Sequence, residues 1–317
     1  MSPSQDRQVF LLATASVAIA LLLPCSVGVR AQEHKPAVEF QSLMNLRFYE
    51  QSGGFFVDGL EMVFPPKDAA DVRFEIRGEG GEVVASLPLR IESMHPFPAF
   101  GRLMPDGNSG MVSVGKAGKF TAGVYVGAEA ATSFPFSITA EVSKDPFNPK
   151  TDYAREGPWK SLAFFSALSE SPEAHVNFHW WMNTRDQPSG AKRQETTVHI
   201  LKGGQEIAQG NVAVICTETD WQHYRMEFVT TGAARKEYLT LPALTSRDGE
   251  YRVVLKSAGK QFRSHAFRVK GGALQGLERS RLEHQPHSDW ISPRMIDIGS
   301  GSSSKYQITE LYWMTRE

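Results

Sequence analysis

The sequence predicts an all-β protein of two tandem antiparallel β-sandwiches followed by a C-terminal tail, and three observations carry that expectation. First, one aromatic hairpin is written twice. Gly118-Lys119-Phe120 opens a run in which Phe120, Ala122, Val124 and Val126 alternate with other residues, and Phe136 stands sixteen positions after Phe120. Gly249-Glu250-Tyr251 opens the same run through Tyr251, Val253 and Leu255, and Phe267 again follows sixteen positions later, so both aromatic positions repeat at an offset of 131. Second, the Gly80-Gly81 turn returns as Gly203-Gly204 at an offset of 123. Third, no ten-residue segment beyond the N-terminal leader shows an apolar stripe of helical period with caps. Alternation with period two sends one set of side chains inward, so two similar strand-built units follow.

In chain order, residues 1–31 read as a leader. Arg7 supplies a positive charge, Val9 to Leu23 is almost wholly apolar, and Val29-Arg30-Ala31 offers a cleavage site. The apolar run is short for a membrane span, so export with removal of the leader is expected, to the periplasm, the cell surface or beyond. Asp6-Arg7 stands where a twin-arginine leader would carry its pair. Pro24 occupies the place before Cys25 where a lipid-attachment box wants a small residue, so an ordinary cleaved leader is expected. Without Asp6, Arg7 and Arg30, the 34 basic and 35 acidic residues fall to 32 and 34, a balance of −2. That balance offers no basic face for nucleic acid. Cys216 is then the one cysteine left, so no internal disulfide forms and core burial must hold the units together. Its parity with Val212 and Val214 makes it a packing residue.

The first unit spans residues 37–142, with strands expected at 43–49, 55–64, 72–77, 82–91, 111–114, 120–126 and 134–140. Pro146, Pro149 and Pro158 mark residues 143–158 as a stiff linker. The second unit spans 159–270, with strands at 162–168, 175–182, 196–202, 205–208, 212–217, 224–229, 238–241, 251–256 and 262–269. About seven short strands in ~110 residues describe a sandwich of two antiparallel sheets. In the tail, 271–317, Gly299 to Ser304 is a flexible tether, and Tyr306 to Met314 is rich in β-formers and aromatics. A segment so apolar is expected to add as a strand to a sheet edge, its own or a partner's.

Asp248-Gly249-Glu250-Tyr251 resembles the approach to the tyrosine corner of immunoglobulin-type domains. Val253 stands where that family's second disulfide cysteine would be, and Phe120 replaces the tyrosine in the first unit. The resemblance therefore implies a fibronectin-like or bacterial immunoglobulin-like variant, a superfold that does not fix function.

Candidate binding residues come from alternation and from loops. In His175 to Met182, the positions Val176, Phe178, Trp180 and Met182 form the apolar face, leaving His175, Asn177, His179 and Trp181 on the other. Histidines four apart on a strand are ~13 Å apart, too far to share a metal ion unless His199 or His223 approaches from a neighbouring strand, so no metal site is expected. Trp181 and Trp221, flanked by Asn177 and Gln222, would suit stacking on sugar rings if exposed, or packing between domains if not. The loop Ser93–Gly110 brings Phe97 and Phe100 with three prolines, a place for binding or for covering the end of a sandwich. Its Asp106 to Gly110 fails as a calcium loop, because the twelfth position is Ala117. No nucleophile elbow, phosphate loop or glycosidase cleft is legible, and no cofactor is expected. The sequence thus suggests a non-enzymatic adaptor or structural module of the cell envelope, with a protein or envelope component as partner. A carbohydrate-binding module is the alternative, and a hydrolase with a dispersed site the third reading.

Overall fold

The computed structural model describes residues 36–317 apart from 64–65, 67–70, 97–98, 108, 143–145, 148, 169–174, 188–189, 233–236, 276–293 and 298–305. The leader and the Gly299–Ser304 tether lie outside the described residues. Where apolar and polar side chains alternate between turn residues, the chain is strand. The first half runs β1 (Ala37–Val38), α1 (Phe40–Met44), β2 (Arg47–Tyr49), β3 (Gly54–Phe56), β4 (Leu60–Val63), β5 (Val72–Gly78), β6 (Val83–Pro96), β7 (Ala99–Pro105), β8 (Met111–Val112), β9 (Gly118–Val126), β10 (Glu129–Val142) and β11 (Thr151–Glu156). The second half runs β12 (Leu162–Leu168), β13 (Asn177–Met182), β14 (Arg193–Lys202), β15 (Gln205–Ile215), β16 (Gln222–Glu227), β17 (Val229–Thr230), α2 (Leu241–Thr245), β18 (Gly249–Ser257), β19 (Lys260–Lys270), β20 (Ala273–Gln275), β21 (Arg294–Asp297) and β22 (Tyr306–Thr315).

The protein is all-β, and its strands pair antiparallel. An eight-stranded sheet has the order β1-β4-β7-β6-β5-β9-β10-β11, and a six-stranded sheet the order β17-β15-β14-β18-β19-β20. Between their halves of the chain lies a five-stranded sheet, β16-β13-β12-β22-β21, and a small sheet β2-β3-β8 completes the set. Among the described residues, no helix is long and apolar enough to cross a membrane.

The repeated hairpin is present in both large sheets with the same register. Phe136 faces Phe120 across β9–β10 and Phe267 faces Tyr251 across β18–β19, with ring centroids 5.7 and 5.1 Å apart. All four are buried. Each hairpin carries a bulge on its second strand, leaving Ala131 and Phe262 unpaired, and these residues are themselves 131 apart. The preceding hairpins β5–β6 and β14–β15 also share a bulge, at Val84 and Ile207, which repeats at the 123 offset of the glycine pair. Gly118 and Gly249, at matching places, have φ of 153° and 146°, a backbone that side-chain-bearing residues rarely adopt.

Several sequence expectations need correction. Residues 151–156 of the expected linker are strand β11, whose outward N–H groups at Tyr153 and Arg155 bond to Glu50 O and Thr219 O; the prolines merely bracket it. Much of the Ser93–Gly110 loop is the β6–β7 hairpin, paired from Leu89 opposite Pro105 to Pro96 opposite Ala99. Residues 43–49 split into a helical turn and a short strand, and α2 begins where a strand at 238–241 was expected. Thr240 caps α2, its hydroxyl accepting from the Ala243 N–H at 3.4 Å.

Residues 35–317 pack as one compact unit around two cores. Alternate residues of the five-stranded sheet belong to different cores. Phe164, Trp181 and Trp313 join the core that holds Phe40, Phe74, Phe134 and Phe136 of the first half. Ala163, Phe165, Trp180 and Met314 join the core that holds Tyr251, Val253 and Phe267. A strand pleat points neighbours to opposite faces, so the centre of this sheet, Leu162 to Phe165 and Phe178 to Met182, is buried on both. The tail strand β22 adds to β12 of its own chain, from Leu162 opposite Thr315 to Leu168 opposite Thr309.

Candidate functional site

The two halves meet around Arg155, which β11 carries into the interior. Its guanidinium is 1% exposed and pairs with Asp220 (Nη2–Oδ1 2.5 Å), while Nη1 donates to Leu46 O at 3.0 Å. The cation lies 4.2 Å from the Trp159 ring centroid. The Trp221 indole donates back to Arg155 O at 2.8 Å, and Trp159 donates to Met44 O at 2.8 Å. Burial pushes the Asp220 carboxyl up against the opposing pull of Arg155, and lowers the guanidinium from its ordinary value. Beside this pair a polar cleft of about 600 Å³ opens between the halves, lined by Asn45, Arg47, Glu50, Thr217, Asp220 and His223 among others. Thr219 donates to Glu50 across it at 2.7 Å.

A second buried ion cluster ties β19 to the end of β22. Asp186 accepts from Arg263 and, at 2.8 Å, from Arg316, and Arg263 also donates to Trp181 O at 2.8 Å. Arg316 Nη2 donates to Phe262 O at 3.0 Å. Next to it, His265 is fully buried, and desolvation with the nearby Arg263 holds its pKa well below the ordinary histidine value.

Trp181 and Trp221 are 0% and 3% exposed, so neither offers a ring face to a sugar. The rings pack, the other use weighed for them, because the polar-parity face of β13 lies against the first half instead of water. Trp181 donates to Asn45 Oδ1 at 3.0 Å and stacks on Trp313. Asn177 is half-buried, and its amide donates to His175 O at 3.3 Å. Phe97 lies outside the described residues; Phe100 sits on β7 opposite Val63 and His95.

His179 is buried, in company that the sequence did not reveal. Its ring stacks on Phe164 at 4.3 Å, Nε2 is 2.8 Å from Ser166 Oγ, and Nδ1 is 3.1 Å from His223 Nε2. His199 lies in the other sheet, against Glu206 at 2.6 Å. Among the described residues no group of three or more metal-binding side chains converges. Burial raises the Cys216 thiol pKa, with Gln187 donating to its sulfur at 2.8 Å, an unreactive setting.

No known protein family and no curated protein matches the chain. Among solved structures, the paired C2 domains of extended synaptotagmin 2 align with 98% of this chain and 99% of that one, at 9% identity and a TM-score of 0.15. So low a score carries no argument about fold or activity. The site must be read from its own residues. The sequence did not show the pairings of Arg155, Asp220, Asp186 and Ser166, because each partner lies on a different strand or loop.

Proposed function

We propose that the protein is an exported interaction module of the cell envelope, made of two immunoglobulin-like sandwiches joined as one rigid body. The sandwich assignment is supported by the Tyr251 hydroxyl, which donates to Arg247 O at 2.5 Å, the bond that defines a tyrosine corner. The repeated register and bulges extend the same plan to the first half. The observation that carries the functional reading is the buried Arg155–Asp220 pair. It fixes the two halves together and leaves beside it a polar cleft to which both contribute. A rigid two-part groove rich in hydrogen-bonding groups suits an extended polar partner such as a protein segment.

A photo-crosslinking side chain in place of Gln51, exposed on the rim of this cleft, tests the reading in native envelopes. A defined protein adduct is expected. Its absence, with adducts instead at sites away from the cleft, refutes the cleft as the contact surface. A glycan adduct would return the protein to the carbohydrate-binding class.

A further inference from the structure

The geometry points to Ser166 as an acyl-accepting serine, activated by His179 and His223, with an activated ester or thioester as its acyl donor. This goes beyond the binding reading, and the two stand or fall separately. Ser166, His179 and His223 come from β12, β13 and β16, adjacent strands of the central sheet, and form one diagonal row. The serine Oγ is 2.8 Å from His179 Nε2, and His179 Nδ1 is 3.1 Å from His223 Nε2. The two imidazoles are tilted by only 14° with centroids 5.2 Å apart, so the nitrogen-to-nitrogen contact runs near the ring planes, as a hydrogen bond requires. Phe164 lies parallel beneath His179 (8°, 4.3 Å) and Trp181 flanks His223 at 5.2 Å, which fixes both rings. Nucleophile, base and orienting group therefore occur in the order that activates a hydroxyl. Ser166 is half-buried, while His223 is exposed at the cleft, giving the row one end in water.

With the serine as donor, Nε2 of His179 accepts, and its Nδ1–H donates to His223. Ser166 Oγ attacks the carbonyl carbon of the donor and its proton passes to His179 Nε2. The tetrahedral adduct collapses, the carbon–oxygen or carbon–sulfur bond breaks, and the leaving alkoxide or thiolate takes that proton. The products are acyl-Ser166 and a free alcohol or thiol. His223 is a positioning residue, steadying the imidazolium that forms in transit. Ser166 lies inside a strand paired on both sides, opposite Asn177 and Leu311, so the peptide N–H groups around it serve the sheet ladders and not an oxyanion. The acyl-serine should therefore accumulate instead of turning over.

The full chain is treated with p-nitrophenyl acetate and, separately, with a fluorophosphonate, and adducts are mapped by peptide mass spectrometry. A single adduct is expected on Ser166, lost in Ser166→Ala. Its rate should fall about 100-fold in His179→Gln, the usual scale of general-base help, and about 10-fold in His223→Gln, whose exposed side chain makes it the safer variant for folding. The wild-type labelling rate should depend on pH, and His179→Gln should flatten that dependence. Absence of a Ser166 adduct overturns the proposal. So does an unchanged rate in a His179→Gln protein whose near-ultraviolet circular dichroism matches wild type. Crosslinking from position 51 should be unaffected by Ser166→Ala, which separates this inference from the binding reading.

Discussion

The two faces of the central sheet are built from the same strands yet solve different problems. One face, with Phe165, Phe178, Trp180 and Met314, closes an apolar core against β14, β18 and β19. The other, with Phe164, His179, Trp181 and Trp313, meets the first half of the chain and mixes aromatic rings with hydrogen-bonding groups. The first is mostly a matter of volume and parity, with the buried His265 ring set against Phe178. The second must also satisfy polar groups withdrawn from water, and it does so with indole-to-amide, serine-to-histidine and buried ionic contacts. A face that carries polar side chains is thus no proof of exposure; it can be a junction.

Four perturbations sharpen this contrast. Trp181→Ala should cost about 4 kcal/mol, from the range for deleting large buried aromatics, and should uncouple the halves. Trp180→Ala should cost as much but leave the first core's unfolding transition in place. Unfolding followed by probes in each half checks this, and identical coupled loss in both variants would erase the distinction. Next, Arg155→Met should cost about 3 kcal/mol by stranding a buried carboxylate, and adding Asp220→Leu should recover most of it. Chemical denaturation of the single and double variants measures the difference; no recovery would mean that the pair does more than balance charge.

The third perturbation is acid. His265 is neutral in the folded protein because burial, with the Arg263 and Arg316 charges, lowers its pKa, whereas the unfolded chain protonates it near pH 6.5. The unfolded state then binds more protons, so stability is fully present above that pH and declines below it. The decline should approach about 1.4 kcal/mol per pH unit. Denaturation midpoints between pH 7 and 5 should show this slope, and His265→Gln should flatten it. The smallest effect is Tyr251→Phe, which makes the second hairpin resemble the first at Phe120. Losing the hydroxyl bond to Arg247 O should cost about 1 kcal/mol, read as a modest drop in Tm; no drop would leave the tyrosine corner without energetic weight.

Features that depend on nearby residues were legible in the sequence. The doubled hairpins, the glycine turns and the β-character of Tyr306 to Met314 follow from alternation and turn chemistry, and Phe120, Phe136, Tyr251 and Phe267 are inward as expected. The junction was not legible, because its logic is carried by distant pairs. Arg155 sits among polar residues that read as a solvated linker, and nothing near it announces Asp220, 65 positions later. His179 alternates with apolar residues just as a surface histidine would, and only folding reveals Phe164 beneath it and Ser166 beside it. The choice between stacking on sugars and packing was open for Trp181 and Trp221 for the same reason: period-two alternation tells which residues share a face, not what covers that face.

The placement of β22 bears on how the polypeptide reaches its final form. Trp313 enters one core and Met314 the other, and both lie more than 130 residues beyond the strand they pair with. A ribosome that has not yet delivered these two side chains holds a chain in which neither interior can be sealed. Locking of both interiors therefore waits for the chain to be made as far as Met314, long after β12 and β13 have emerged.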